Sequence, residues 1–358
     1  MTKALQVFAG PRALAHLRER GLAPADVRAI PAAAGGPKGL ALLPLDRYLF
    51  GHWLPQSTQT VHLLGASIGA WRMGVACLPD PDAALAQLAQ DCITQSYPSA
   101  PGKAPSARVV TQVFRQQLEL RLGAQAATVL AHPRFRLHVF TSRGRRLLHR
   151  PGRLQVSLGW MGAFAANAKA RSALGGWMER VVLRDPRDPL PVPLNDFSTR
   201  RAELRADNLA PAILASCAIP FVLEAVQDVP GGPPGTYWDG GIIDYHLHLD
   251  YAAIEEGLVL YPHFGGQVVP GWLDKAWKRR HRASAGLSNL VLLSPRPEWM
   301  RTPPGGKLPD RSDFKHHGHA HARRQRDWRT ALAESQRLAD EFAELVAQPG
   351  GFDAQPLV

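Results

Sequence analysis

The stretch Val61-His62-Leu63-Leu64-Gly65-Ala66-Ser67-Ile68-Gly69 decides how this chain is read. An apolar run enters a G-x-S-x-G pentapeptide, and a segment rich in small residues follows it. The pattern predicts a strand, a sharp turn and a helix, with the serine on the turn and its hydroxyl thrust into open space. Gly65 and Gly69 leave room, because a Cβ at either place would crowd the turn or an approaching substrate.

Two further segments give the pentapeptide its company. Ala34-Gly35-Gly36-Pro37-Lys38-Gly39-Leu40 follows the apolar segment Val27-Arg28-Ala29-Ile30. A glycine-rich turn between a strand and a helix leaves backbone N–H groups free for an anion, which in acyl transfer is the oxyanion. Downstream, Trp238-Asp239-Gly240-Gly241-Ile242-Ile243 sets an aspartate at a bend between apolar stretches. Taken in order, these motifs resemble the patatin-like phospholipases, a family of lipid acyl hydrolases. Ile213-Leu214-Ala215-Ser216-Cys217-Ala218-Ile219-Pro220 is similar to that family's helix-to-turn signature, so the resemblance spans about residues 28–245.

The resemblance implies an α/β fold, a three-layer α/β/α sandwich around a mainly parallel central sheet. It implies a Ser67–Asp239 dyad that works without histidine, cofactor or metal on a lipid ester, of phospholipase A or lysophospholipase type. The oxyanion hole would come from Gly35, Gly36, Pro37, Lys38 and Gly39, with Gly240 and Gly241 shaping the turn after the base. Lys38 matches the basic position of the family motif, where it would fix the loop or meet a phosphate head group. The chain departs from the family at Ala33-Ala34, where many members carry a further glycine. It departs again at Asp244-Tyr245-His246-Leu247, which bears on the shape of the substrate cleft.

A serine hydroxyl needs a base to take its proton as it attacks. An ordinary aspartate, with a pKa of about 3.9, is roughly three pH units too acidic for that task near neutrality. Burial can raise a carboxyl by about 3–5 units, so a desolvated Asp239 would serve. A triad of α/β-hydrolase type stays open as an alternative, for a carboxylesterase or triad lipase, because His246, His248 and His263 follow Asp239. Against it stand the early position of the serine and the absence of a leading histidine in the glycine-rich motif. A second alternative is a non-catalytic basic protein that binds membrane or nucleic acid on a hydrolase scaffold. The chain has no pattern of a specific nucleic-acid-binding module, and none is expected as a partner.

The 358 residues carry a net charge of +12, with 45% hydrophobic and 20% charged residues. That composition is globular, and the positive balance suits polyanions such as phospholipid head groups. Three scattered cysteines, Cys77, Cys92 and Cys217, suit a reducing compartment. With no signal peptide read at the start, the expected location is cytoplasmic, peripheral on membrane at most. Oligomeric state is not legible.

Periodicity predicts helices over 10–21, 40–50, 67–78, several within 80–130, 208–218 and 323–347. It predicts strands over 27–33, 61–65, 136–141, 180–183, 258–261 and 289–293, the last two as buried parallel strands. The Pro-rich piece 301–309 reads as a linker, so residues 1–300 form the expected hydrolase domain and 301–358 a linker with a helix that packs on it or extends it. In Gly271-Trp272-Leu273-Asp274-Lys275-Ala276-Trp277-Lys278-Arg279-Arg280-His281-Arg282 the helical spacing sets Trp272, Leu273, Ala276 and Trp277 on one face. With Lys278, Arg279 and Arg280 behind them, this is the expected contact with an anionic membrane. His316, His317, His319 and His321 read as a solvated helix entry, with His317 and His321 spaced to hold a metal.

Overall fold

The computed structural model describes residues 3–99, 103–149, 152–318, 320–348 and 352–358. Its strands are β1 (Leu5–Ala9), β2 (Val27–Ala32), β3 (Val61–Ala66), β4 (Phe135–Gly144), β5 (Met178–Arg184), β6 (Thr199–Glu203), β7 (Val226–Gln227), β8 (Thr236–Trp238), β9 (Leu258–Pro262), β10 (Leu290–Pro295) and β11 (Gln355–Pro356). They form one sheet in the order β11-β1-β10-β9-β2-β3-β4-β5-β6, with β8 added to β4 and β7 to β8. The run β10-β9-β2-β3-β4 is parallel throughout. These strands are buried along nearly their whole length, which is why their sequences are continuous apolar runs instead of alternating ones.

The helices are α1 (Pro11–Arg20), α2 (Leu43–Tyr48), α3 (Ile68–Ala76), α4 (Pro81–Thr94), α5 (Ala107–Arg121), α6 (Ala126–Leu130), α7 (Arg153–Lys169), α8 (Leu209–Ser216), α9 (Ser312–His317) and α10 (His321–Ala347). They lie on both sides of the mostly parallel sheet, the expected three-layer architecture. Proline opens α1 and Gly21, at φ 72°, closes it by returning its N–H to the Leu17 carbonyl. The two ends of the chain meet where the amides of Ala4 and Leu5 donate to the Glu341 carboxylate of α10 at 2.7 and 2.8 Å.

Several expectations are corrected. β1 and β6 and the helix α7 were not read from the sequence. The helix expected over 40–50 starts as a 3-10 turn at Gly36 and passes through a π-turn at Leu49–Trp53. The stretch 301–309 is no free linker: Leu308 is buried, and Lys307 is paired with Asp310 and Asp313 at 2.9 and 2.6 Å. The largest correction concerns 271–282, which forms two short 3-10 turns, Trp272–Ala276 and Lys278–His281, broken at Trp277. The cause is Asp274. A buried carboxylate needs partners, and Asp274 gathers Asn167, Arg171 and Arg280 at 2.7–3.0 Å. That pulls Asp274 and Arg280 to one side and forbids the single amphipathic helix. Trp272 and Trp277 remain 38% and 37% exposed, Lys278 and Arg279 face solvent, and Leu273 is buried.

Candidate active site

β3 ends at Ala66, paired in register with Phe140 of the neighbouring β4. Ser67 then adopts φ 56° and ψ −129°, and α3 begins at Ile68. A non-glycine residue held there stores about 1–3 kcal/mol of strain, so the surroundings must enforce it. The glycines do so by permitting contact. A Cβ on Gly65 would stand 2.4 Å from the Ala70 Cα, and one on Gly69 would stand 2.0 Å from the Ala32 carbonyl oxygen of β2. Ser216, at the end of α8, locks the turn from the other side. Its hydroxyl accepts from the Ser67 amide at 2.7 Å and donates to the Phe140 carbonyl at 2.7 Å.

β8 pairs antiparallel with β4 and delivers Asp239 to the same spot. The Ser67 hydroxyl donates to Asp239 Oδ2 at 2.6 Å, and Oδ1 accepts the Gly241 amide at 2.7 Å. Gly240 permits this approach, since a Cβ there would meet the Phe140 carbonyl oxygen at 2.0 Å. Both side chains are buried. Desolvation raises the Asp239 carboxyl from 3.8 to about 6, against the opposing pull of the Ser67 and Gly241 hydrogen bonds and the more distant Arg311 and Lys275 charges.

The glycine-rich loop joins β2 to the helical turn Gly36–Leu42 beside the serine. Gly35 lies against the Phe264 ring, and Gly36 takes φ 57°, a conformation suited to glycine. The N–H groups of Gly35, Gly36 and Ile68 stand where helical turns begin and have no partner within the turn. Pro37 has no N–H and can only shape the loop, while Gly39 packs near Ile68 and Arg72. Ile68 was missed in the sequence, although its place after the serine was a usable signal.

Two cavities meet at Ser67. One, of about 60 Å³, is mainly apolar and includes Leu40, Leu43, Ile68, Trp71, Phe114 and Trp328. The other, of about 230 Å³, holds Asp239 together with Lys38, Tyr245, Lys275 and Arg311. Lys275 stands 4.1 Å from the Tyr245 ring centre, and partial burial plus the charges of Lys38 and Arg311 bring its ammonium down to about 8. Neither Lys275 nor Arg311 was singled out as a site residue. No local motif marks them, because long-range folding brings them here.

None of the three histidines considered for a triad bonds to Ser67 or Asp239. His246 Nδ1 engages the Gln267 carbonyl and the Val269 amide, and His248 sits between the Val268 carbonyl and the Ser284 hydroxyl. His263 Nδ1 turns to Gly265. Burial drives His246 well below its ordinary value and His263 to about 4, so both imidazoles are neutral. Asp244, at the departure from the family pattern, is a buried partner of Arg180, with two contacts of 2.7 Å. His317 faces Asp327 at 3.5 Å, and His319 lies outside the described residues. Among the described residues no three His, Cys, Asp or Glu side chains gather as a metal site.

A buried elbow serine at the end of the parallel strand β3, bonded to a buried carboxylate that follows the antiparallel β8, defines a hydrolase-like arrangement in an α/β fold; the hydroxyl expected in open space is in fact covered. The profile of the patatin-like phospholipases matches residues 49–247, and the chain belongs to that family. Among solved structures, human GIVD cytosolic phospholipase A2 is similar at 10% identity and a TM-score of 0.45, over 97% of this chain and 66% of that one. VipD from Legionella pneumophila is similar at 13% identity and a TM-score of 0.38, over 95% and 70% of the two chains. This chain thus spans just under two thirds of the first. A search of curated proteins found no match. Among the described residues no helix is long and apolar enough to cross a membrane.

Proposed function

We propose that the chain is a serine acyl hydrolase for lipid carboxylic esters, of phospholipase A or lysophospholipase type, working through a Ser67–Asp239 dyad. The observation that carries this reading is the 2.6 Å hydrogen bond from the Ser67 hydroxyl to a buried, raised carboxyl. Ser67 Oγ attacks the acyl carbonyl while its proton passes to Asp239 Oδ2. The amides of Gly35, Gly36 and Ile68 face the charge that develops on the carbonyl oxygen, and losing one such donor typically costs about 10²–10³ in kcat. The carbon–oxygen bond to the alcohol then breaks, and the alkoxide leaves with the proton from Asp239. Water repeats the sequence in reverse roles and frees the acid. The test is labelling by an organophosphonate probe and hydrolysis of a panel of lipid esters, each compared with Ser67→Ala.

The dyad reading has a pH signature. Asp239 must be ionised to act, so kcat/KM on a non-ionising ester should fall about tenfold per unit below about pH 6 and level off above it. A limb centred near 4, the range of an unperturbed carboxyl, would remove burial as the tuning device.

We further propose that residues 301–358 complete the same hydrolase unit, since Trp328 and Arg311 line the two cavities at Ser67. Peripheral membrane contact through Trp272, Trp277, Lys278 and Arg279 is proposed on their exposure and on the net charge of +12. Binding to anionic vesicles should exceed binding to neutral ones and weaken as salt shortens the screening length to about 8 Å. Trp272→Ala with Trp277→Ala should weaken the salt-resistant remainder. Equal binding to both vesicle types counts against the contact.

A further inference from the structure

We propose that Trp71 and Gln117 form a hydrogen-bonding pair in the wall of the acyl cavity, selecting esters whose acyl chain carries a hydroxyl on one of its first few carbons. The proposal rests on Ser67 being the nucleophile. The alcohol takes its proton from Asp239, so it leaves through the cavity of about 230 Å³ that holds Asp239. The acyl group then falls in the other cavity, the mainly apolar one of about 60 Å³ that also begins at Ser67. One water needs about 10–15 Å³, so this cavity takes roughly four to six non-hydrogen atoms. A substituent that meets its wall therefore sits close to the ester carbonyl.

That wall carries two polar atoms with nothing to bond. The Trp71 indole Nε1–H and the Gln117 carboxamide oxygen are buried, and neither has a hydrogen-bond partner among the described residues. Trp71 as a whole is only 3% exposed. Buried polar atoms are nearly always paired, because an unpaired one forfeits its bonds to water. Here a lone donor and a lone acceptor belong to the lining of one cavity, and that cavity opens on the nucleophile. A hydroxyl accepts from the indole and donates to the carboxamide. A ketone satisfies the indole alone, and a methylene satisfies neither.

The fold places both groups beside the acyl chain. Trp71 stands four residues after Ser67, one turn into α3 and on the same side of the helix. Its ring meets Phe114 of α5 edge-on, with ring centres 5.5 Å apart. Gln117 lies three residues beyond Phe114 on the same face of α5. The charged side chains of the wall are already paired. Arg72 is held by Asp46 at 2.7 and 2.8 Å, and Asp91 by Arg121 at 2.6 and 2.9 Å. The Arg72 Nη1 group, also without a partner, adds a donor but no net charge. Desolvation keeps the Cys92 and Cys217 thiols protonated. With no unpaired charge in its wall, the cavity suits a neutral hydroxyl and not a carboxylate.

The test compares p-nitrophenyl 3-hydroxybutyrate with p-nitrophenyl butyrate, each rate divided by the spontaneous hydrolysis of the same ester. It uses the full chain and the variants Trp71→Phe and Gln117→Met, with folding checked by circular dichroism. The native protein should prefer the hydroxy ester by about tenfold or more in kcat/KM, as expected for two hydrogen bonds to groups otherwise left unpaired. Each variant should lose most of that ratio. No preference in the native protein would assign the two polar atoms to buried water and overturn the proposal. A preference unchanged in either variant would overturn the pair as its source. A readout apart from turnover uses 3-hydroxybutyramide as a neutral acyl analogue. Its binding should shift the Trp71 indole N–H resonance, identified by its absence from Trp71→Phe, while butyramide leaves that resonance nearly in place. An equal shift with both amides, or none with either, counts against the hydroxyl contact. If Ser67→Ala cleaves both esters as fast as the native protein, the nucleophile assignment fails instead, and the indole shift then decides the hydroxyl contact alone.

Discussion

Ser67→Ala is expected to lower ester hydrolysis by about 10⁴-fold or more, the scale seen when a nucleophile is removed, and to abolish labelling by a serine-directed phosphonate. The fold should survive. Alanine keeps the Cβ, so the strained φ of 56° costs neither more nor less than before. The amide bond to Ser216 is a backbone contact and remains. What disappears is the hydroxyl that donates to Asp239, and with it one of the interactions holding that carboxyl down. The Asp239 pKa should therefore rise above about 6 in the variant. Activity measured with a chromogenic short-chain ester, alongside thermal unfolding, separates loss of chemistry from loss of structure. Labelling that persists at another serine would move the nucleophile elsewhere.

The parts of this site that were legible in sequence are those whose chemistry forces a local pattern. Gly65, Gly69 and Gly240 sit where a Cβ would collide with backbone at 2.0–2.4 Å, so the residue type follows directly from the turn. The buried strands β3, β9 and β10 were legible because a strand covered on both faces must be apolar throughout. Other elements answer to distant partners. The helix α7 leaves Leu154 and Met161 70% and 63% exposed while burying Trp160 against Trp238, which blurs the helical period. Residues 271–282 satisfy that period and still do not form the helix, because the three partners of Asp274 are worth more than the pattern. Arg311 reaches the cavity through the Asp310–Asp313 turn, and nothing near it in sequence reveals that destination.

Asp239→Asn should separate catalysis from stability in opposite directions. Asparagine keeps the size and can still accept from the Gly241 amide through its one carbonyl oxygen, but it turns an NH2 donor toward the Ser67 hydroxyl and cannot take a proton at neutral pH. Activity should fall by about 10³–10⁴-fold, as expected when an essential base is lost. Each of His246→Ala, His248→Ala and His263→Ala should retain far more, because none of these rings touches the dyad. Stability follows from linkage. The native carboxyl binds its proton up to about pH 6 and the unfolded one only to 3.8. Its contribution to stability is therefore full below the lower value and fades as pH rises through the higher one. At about 1.4 kcal/mol per pH unit, the ionised Asp239 withholds up to ~3 kcal/mol from the fold at neutrality. The uncharged asparagine avoids that cost, so the variant should unfold at a higher denaturant concentration than the native protein above about pH 7, with the gap closing near pH 4. A variant that is inactive yet equally stable at both values would mean that Asp239 is not desolvated. A well-folded histidine variant as inactive as Ser67→Ala would replace the dyad with a triad.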